Sequence, residues 1–245
     1  MADKKITALT ALTAVAEADV LAVVDVSATE TKKATKAVLL APITATGTNV
    51  GIGTASPTAK LDVNGSFRLN AGNHPVGTYN IAIGDLALGS LTSGQENVAT
   101  GRRALYLNTT GSYNTAHGSG ALYSNTTASY NTAVGVAALF SNITGGSNTA
   151  TGRTALYSNT TGYSNVAVGY VALYSNTEGF ENTGLGTEVL TNNTTGNNNT
   201  AAGRRALYFN VTGNNNTAVG ETSLYNSTGG ANTAIGFSAG SLLVS

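Results

Sequence analysis

Few residues in this 245-residue chain could carry catalysis or hold a metal. The sequence has no Cys and two His, His74 and His117, and neither His has a cluster of partner side chains nearby. Metal sites and His-dependent catalysis need several side chains that converge on one point. We therefore predict that the protein has no catalytic residues, no metal site and no cofactor, and that it is not an enzyme.

The carboxylates of the second part of the chain do not recur at one repeat position. Glu178 and Glu181 are close enough in sequence to be considered as an acid/base pair, but a solvated role is the favoured interpretation. Calcium β-roll repeats need regularly placed Asp, which is missing here. The stretch Gly51-Ile-Gly53 is not followed by the Gly-Lys-Ser/Thr of a phosphate loop and is predicted to form turns. These carboxylates are Asp85, Glu96, Glu178, Glu181, Glu188 and Glu221.

The charge composition excludes two classes of partner. Twelve Lys and Arg balance twelve Asp and Glu, and only 10% of residues are charged. Proteins that bind nucleic acid or anionic membranes through charge carry an excess of basic residues. We expect no nucleic-acid partner and, because no run of 18 apolar residues occurs, no membrane insertion. Thr residues interrupt the apolar segment Ile6–Ala16, which disfavours a secretory signal peptide.

A 17-residue repeat fills most of the chain. The motif Asn-x-Ala-x-Gly occurs ten times, with one spacing of 16, and Ala is replaced once, by Gly184. Leu follows the Asn by eight positions in nine copies, from Leu88 to Leu224. The repeating Asn residues are Asn80, Asn97, Asn114, Asn131, Asn148, Asn165, Asn182, Asn199, Asn216 and Asn232.

Each repeat predicts one thin rung of a solenoid. Asn favours a turn, the next residues a short strand, and Ala-Leu a small core, while Asn-Thr-Thr-Gly returns the chain. Seventeen residues accommodate two short strands and two bends. One Leu per rung cannot form a core alone, so stacked rungs should build a continuous parallel sheet with a spacing of ~4.8 Å. The Asn-x-Thr sequons, such as those at Asn108 and Asn125, are interpreted as return turns rather than glycosylation sites.

Three recurring surface features remain open to a functional interpretation. An aromatic residue follows the repeating Leu in seven copies and is expected to pack between rungs or chains, with a sugar-binding stripe as the alternative. Arg102-Arg103 and Arg204-Arg205 recur at the same repeat positions and are expected on solvated faces or in interchain contacts. The regular Thr suggests an ice-binding face, which Val and Ile in the same register disfavour. The aromatic residues are Tyr106, Tyr123, Phe140, Tyr157, Tyr174, Tyr208 and Tyr225.

Segments such as Asn131-Thr-Ala-Val-Gly135 resemble the head repeats of trimeric autotransporter adhesins, and more closely the versions found in bacteriophage fibres. The resemblance covers residues 80–245 and implies a left-handed parallel β-roll with three chains side by side. Val50-Gly-Ile-Gly-Thr54 and Lys60-Leu-Asp-Val-Asn-Gly65 resemble the connector before such regions in phage tail fibres. The repeat length departs from the shorter repeat of the bacterial head domains.

The N-terminal part has a different composition, because all six Lys lie at or before Lys60. We predict strands at Val20–Val26 and Ala34–Leu40 with a polar connection at Ser27–Lys33, and a short helix within Ala11–Asp19. The segment that includes Ile6-Thr-Ala-Leu-Thr10 resembles N-termini that dock phage fibres on the particle. The predicted domains are an attachment segment (1–45), a connector (46–79) and the repeat array (80–245).

The sequence thus predicts an all-β, homotrimeric fibre of a phage virion, fixed to a tail or capsid protein by its N-terminus. It would be assembled in the host cytoplasm and would contact a host cell-surface polysaccharide or protein, although no residue identifies the receptor. A secreted or surface-displayed bacterial trimeric adhesin is the first alternative. A polysaccharide-degrading tailspike is the second, and it is disfavoured by the lack of a carboxylate cluster.

Overall fold

The computed structural model describes residues 79–243 continuously, and before them five short strands. The chain divides into two compact units, residues 1–67 and 68–245. Across the described residues, no helix is long and apolar enough to cross a lipid bilayer.

The first unit contains two small sheets. Strands β1 (Ala22–Val23) and β2 (Lys32–Lys33) pair antiparallel. Strand β4 (Asn49–Ile52) lies between β3 (Ile43–Thr46), which is antiparallel to it, and β5 (Leu61–Val63), which is parallel. β1 lies within the predicted strand Val20–Val26, but its partner β2 lies in the segment predicted as a connection. The predicted strand Ala34–Leu40 and the predicted helix at Ala11–Asp19 fall outside the described residues.

The second unit contains a sheet of ten parallel strands in sequential order. Each strand is the three-residue segment after the repeating Asn, with Ala at its centre in nine strands and Gly184 in one, and pairs in register with the strand one repeat later, as Thr132 does with Thr149. The strands are β6 (Ile81–Ile83), β7 (Val98–Thr100), β8 (Thr115–His117), β9 (Thr132–Val134), β10 (Thr149–Thr151), β11 (Val166–Val168), β12 (Thr183–Leu185), β13 (Thr200–Ala202), β14 (Thr217–Val219) and β15 (Thr233–Ile235). The prediction of a parallel β-solenoid with 17-residue rungs is confirmed.

Each rung contains one strand, although the length of the repeat leaves room for two. After the strand the chain turns through a Gly with φ near +135° and then through two residues with φ near +50 to +57°, such as Gly101, Arg103 and Leu105. Left-handed residues at every second position, here on both sides of Ala104, prevent an extended strand. Backbone bonds to the next rung nevertheless continue on this side, for example from Leu105 N–H to the Ala121 carbonyl (3.0 Å).

The core is the narrow space between the sheet and this turn wall. The Ala at the centre of each strand packs inward against the Leu of the opposite wall, and every repeating Leu from Leu88 to Leu224 is fully buried. A side chain larger than Ala on the strand would meet that Leu, because a Cβ added to Gly184 already lies 3.2 Å from the Leu173 side chain. The small-residue face is therefore explained by the opposite wall of the same chain.

One strained position offers a test of this wall. Val171 has φ +61°, where a β-branched side chain is strongly disfavoured, and other rungs place Gly120 or Arg103 there. Asn tolerates this conformation. We expect Val171→Asn to stabilise the protein by about 0.5–1 kcal/mol in urea unfolding. Val136→Asn, at an exposed position without positive φ, is the control and should leave the midpoint unchanged; an equal gain in both would contradict the argument.

Candidate functional site

A buried asparagine ladder fixes the corner at which each rung enters the sheet. The backbone N–H of each repeating Asn from Asn97 to Asn232 donates to the side-chain oxygen of the Asn one rung earlier, at 2.9–3.0 Å. Up to Asn216, its Nδ2 also donates inward to a carbonyl that closes the same rung, as Asn148 does to Gly162 (2.8 Å). The Asn therefore binds both along the solenoid and across it.

A second ladder runs beside the first, through the Asn of the return turns. Nδ2 of Asn159 donates to Oδ1 of Asn142 and to the carbonyl of Gly162, both at 2.8 Å, and the pattern extends from Asn108 to Asn210. All these side chains are fully buried. The sequons that begin at these return-turn Asn residues are structural in the folded chain, since their amide groups are already bonded and enclosed.

The second ladder ends where its partner is missing. Ser227 occupies the next position, and Oδ1 of Asn210 is a buried acceptor with no bonded donor. Leu91 occupies the same position in the first rung, and both Leu91 and Ser227 are buried. The ladder therefore belongs to the middle rungs, where each amide has a neighbour on both sides.

The outward side of the ten-stranded sheet is uncharged. We call the first and third residues of strands β6–β15 the outer sheet face; apart from His117 they are all Thr, Val, Ile, Leu or Ala. None of these residues is fully buried, and Ile83, Val168 and Leu185 are among the exposed ones. Parallel sheets in soluble proteins are usually covered on both faces. Its own chain leaves this face uncovered along all ten strands.

The residues considered for catalysis are dispersed. His117 lies on the outer sheet face, where its Nδ1 hydrogen bonds Thr100 Oγ1. Glu178 and Glu181 are both exposed. Within the described part of the chain, no three His, Asp or Glu side chains lie close enough to hold a metal ion. His74 lies outside the described residues, and Gly51 lies in strand β4.

Three of the four paired arginines contact an acidic side chain one rung away. Arg102 lies 3.8 Å from Asp85, Arg204 lies 3.1 Å from Glu221, and Arg205 pairs with Glu188. This last pair raises the pKa of Arg205, first through its hydrogen bond to Glu188 and then through the charge of Glu188. Exposed pairs of this kind contribute little to stability.

The aromatic column after the repeating Leu is a stack of rings. From Tyr123 to Tyr174, centroids lie 4.9–5.3 Å apart and ring planes differ by 6–8°. Neighbouring rings cover both faces of the inner rings Phe140 and Tyr157, and the side chains of the column are half-buried. Offset stacking of this kind stabilises adjacent rungs. A sugar binds to an aromatic side chain by stacking on its ring face, and here those faces are covered by neighbouring rings. The stack therefore favours packing between rungs over the sugar-binding alternative.

A second aromatic group lies at the Asn corner, where no column had been predicted. Tyr113 stacks on Tyr130 (5.0 Å between centroids, 2° between planes), and Tyr163 stacks on Phe180 (4.9 Å, 3°). The charge of Glu96 is the main cause that raises the pKa of Tyr113. The two pairs occupy adjacent repeat positions, one and two residues before the Asn. These residues are missed when the sequence is searched for an aromatic residue at one fixed repeat position. They become visible when all aromatic residues within two positions of the repeating Asn are considered together.

Comparison with known proteins gives no relative. No family model, no curated protein and no solved structure matches the chain.

Proposed function

We propose that the protein is a homotrimeric fibre of a phage virion, in which three solenoids pack their outer sheet faces against one another. The observation that carries the proposal is the uncharged outer sheet face. The resemblance of the Asn-x-Ala-x-Gly repeats to phage fibre repeats supplies the number of chains and a left-handed coil.

The size of the outer sheet face supports a contact with other chains. Ten strands at ~4.8 Å span roughly 45 Å, and three residues span ~10 Å, which gives a flat area of about 450 Å². Apolar patches of several hundred Å² on soluble proteins usually mark interaction sites. Thr and Val side chains of similar length present a regular surface, and a second sheet can pack on it without burying a charge.

The N-terminal segment, residues 1–45, attaches the fibre to the particle in this proposal, and the array projects toward the host surface. Two features of the array support the projecting role. Its inter-rung bonds are repeated along the whole solenoid, so it is stiff, and its surface carries few charges, so it does not depend on salt for contact with a neutral surface.

Light scattering tests the number of chains. We expect a mass three times the 24.6 kDa of the chain. Val168→Asp places three like charges near the axis of the trimer and should reduce the mass to that of one chain, because burying unpaired carboxylates is strongly unfavourable. Val136→Asp is the matched control, since its repeat position already holds Arg153 and Glu221 in other rungs. A wild-type protein with the mass of one chain would contradict the trimer.

Labelling of purified particles tests the location. An antibody against the array should decorate the tail or the capsid, and adsorption to host cells should fall when the antibody is bound. Particles without label, from a host that contains the protein, would contradict a virion role.

A further inference from the structure

We propose that the array carries a binding site for one neutral hexopyranose ring between Tyr130 and Tyr163. We call this site the corner notch and define it by Tyr130, Gly146, Ser147 and Tyr163. The proposal rests on the proposed function, because it assigns the host-surface contact to particular residues.

The notch exists because one rung has only small residues at the Asn corner. Its two corner residues are Gly146 and Ser147, whereas the rung before it carries Tyr130 and the rung after it carries Tyr163. Tyr130 is 63% exposed and Tyr163 is 44% exposed. The smallest pair of corner residues in this region therefore lies between two exposed phenol rings.

The two rings present free faces to the notch. Tyr113, one rung before, covers one face of Tyr130, so the other face is turned toward Gly146 and Ser147. Phe180, one rung after Tyr163, covers the far face of that ring in the same way. This differs from the aromatic column after the repeating Leu, where neighbours cover both faces of the inner rings.

The rung spacing leaves room for one six-membered ring. Tyr130 and Tyr163 lie two rungs apart, about 10 Å along the solenoid, and they belong to neighbouring repeat positions, one and two residues before the Asn. The stacked pairs of this chain have centroid separations of 4.9 and 5.0 Å. A pyranose can take the place of the next ring on either stack, with its C–H face against that phenol, and then extends toward the other tyrosine.

Polar groups around the notch suit the hydroxyls of a sugar. Ser147 and Ser164 are exposed beside it. At the same repeat position as Gly146, the Ser129 hydroxyl accepts the backbone N–H of Ser112 (3.0 Å), and Asn197 Oδ1 accepts that of Phe180 (2.9 Å). Gly146 has no side chain that could serve Ser129 in this way. The Ser129 amide is therefore the donor that a sugar hydroxyl would take.

The local charge favours a neutral ligand. Between Tyr130 and Tyr163 the sequence carries one charged residue, Arg153. Its guanidinium lies over the ring of Tyr170, 5.8 Å from the centroid. An aromatic side chain of another protein would fill the space between the rings but would leave the hydroxyl and amide groups without partners, which is why a sugar is the better occupant.

Saturation-transfer difference NMR on the full chain tests the site, with hexaoses of α- and β-linked glucose, galactose and mannose as probes. We expect one or more of them to receive saturation from the protein. Tyr130→Ala removes a platform and should weaken binding about tenfold or more. Gly146→Tyr fills the notch, extends the Tyr163–Phe180 stack and should abolish binding; an added Cβ meets only the Ser129 carbonyl, at 3.2 Å. Tyr170→Ala, an exposed tyrosine elsewhere, should bind as the parent does.

Three results would overturn the proposal: no hexaose bound by the parent chain, equal binding by parent and notch variants, or a changed mass of the Tyr130→Ala variant without sugar binding. The last would assign the notch to a contact between copies. Failure of the fibre proposal would be seen in other experiments. A mass of one chain in light scattering, or particles without label, would contradict the fibre but would not change the NMR evidence for sugar binding.

Discussion

Gly135→Ala should lower the free energy of unfolding by about 4 kcal/mol, because the new methyl group meets both backbone strain and a steric clash. Gly135 has φ +135°, a region that only glycine adopts without strain. An added Cβ would also lie 2.5 Å from the carbonyl oxygen of Gly152 and 2.7 Å from its carbonyl carbon. The equivalent position is Gly in all ten repeats, so every rung makes this turn in the same way.

The matched control is Gly145→Ala. A Cβ at Gly145 would approach the carbonyl oxygen of Gly162 even more closely, but φ there is not positive. The preceding rung already has Ala128 at this position, buried within the array. We therefore expect the backbone to adjust and the loss to stay near 1 kcal/mol.

Guanidinium unfolding at one fixed protein concentration measures both variants, because association would otherwise shift the midpoints. Equal losses for Gly135→Ala and Gly145→Ala would mean that the close approach of rungs, rather than the backbone angle, makes this glycine necessary.

The sequence predicted the rungs because their signals are local and repeated. The spacing of Asn and Gly gives the period, and the alternation around Ala gives the strand, so β6–β15 follow from residues such as Asn131 and Ala133. The sequence did not predict that each rung has only one strand, because nothing in the residue types of Arg103 and Leu105 indicates a left-handed φ. Leu normally disfavours that conformation. Stacking against the next rung overrides the local preference.

The candidate surfaces were predictable to different degrees. The column that contains Tyr123 and Tyr157 has a fixed spacing, so its stacking could be expected. The corner notch has no fixed spacing, because it arises from the small residues Gly146 and Ser147 between tyrosines at two different repeat positions. Irregularities of this kind become visible only after the rungs are aligned in space.

The two asparagine ladders likewise exceed what residue types indicate. The preference of Asn for turns is a property of one residue and its neighbours. It does not show that Asn148 and Asn159, 11 positions apart, donate to the same carbonyl of Gly162. Neither does it show which of the two also serves a backbone amide, and this difference gives the second large prediction.

Asn148→Ala should lower the free energy of unfolding by about 3 kcal/mol. Oδ1 of Asn148 accepts the backbone N–H of Asn165 at 2.9 Å, and Asn165 is fully buried. Removal of the amide leaves this N–H without an acceptor where water cannot replace it, and a buried unsatisfied donor costs roughly 1–3 kcal/mol. The inward bond to Gly162 is lost as well.

Asn159→Ala separates the two contributions. Asn159 donates to Gly162 and to Oδ1 of Asn142, so Asn159→Ala leaves that buried side-chain oxygen unpaired, as Oδ1 of Asn210 already is in the parent protein. Its own Oδ1 accepts only the side-chain Nδ2 of Asn176, which keeps a second acceptor in Gly179, so no backbone amide is stranded. The loss should therefore be smaller by about 1 kcal/mol, because an unpaired side-chain oxygen is better tolerated than an unpaired backbone N–H. Hydrogen exchange gives the local measurement: the Asn165 amide should exchange much faster in Asn148→Ala and remain protected in Asn159→Ala. If both variants lose the same stability with Asn165 still protected, the ladder at the Asn corner acts only by filling space. If the prediction holds, the corner Asn is the residue that connects one rung to the next.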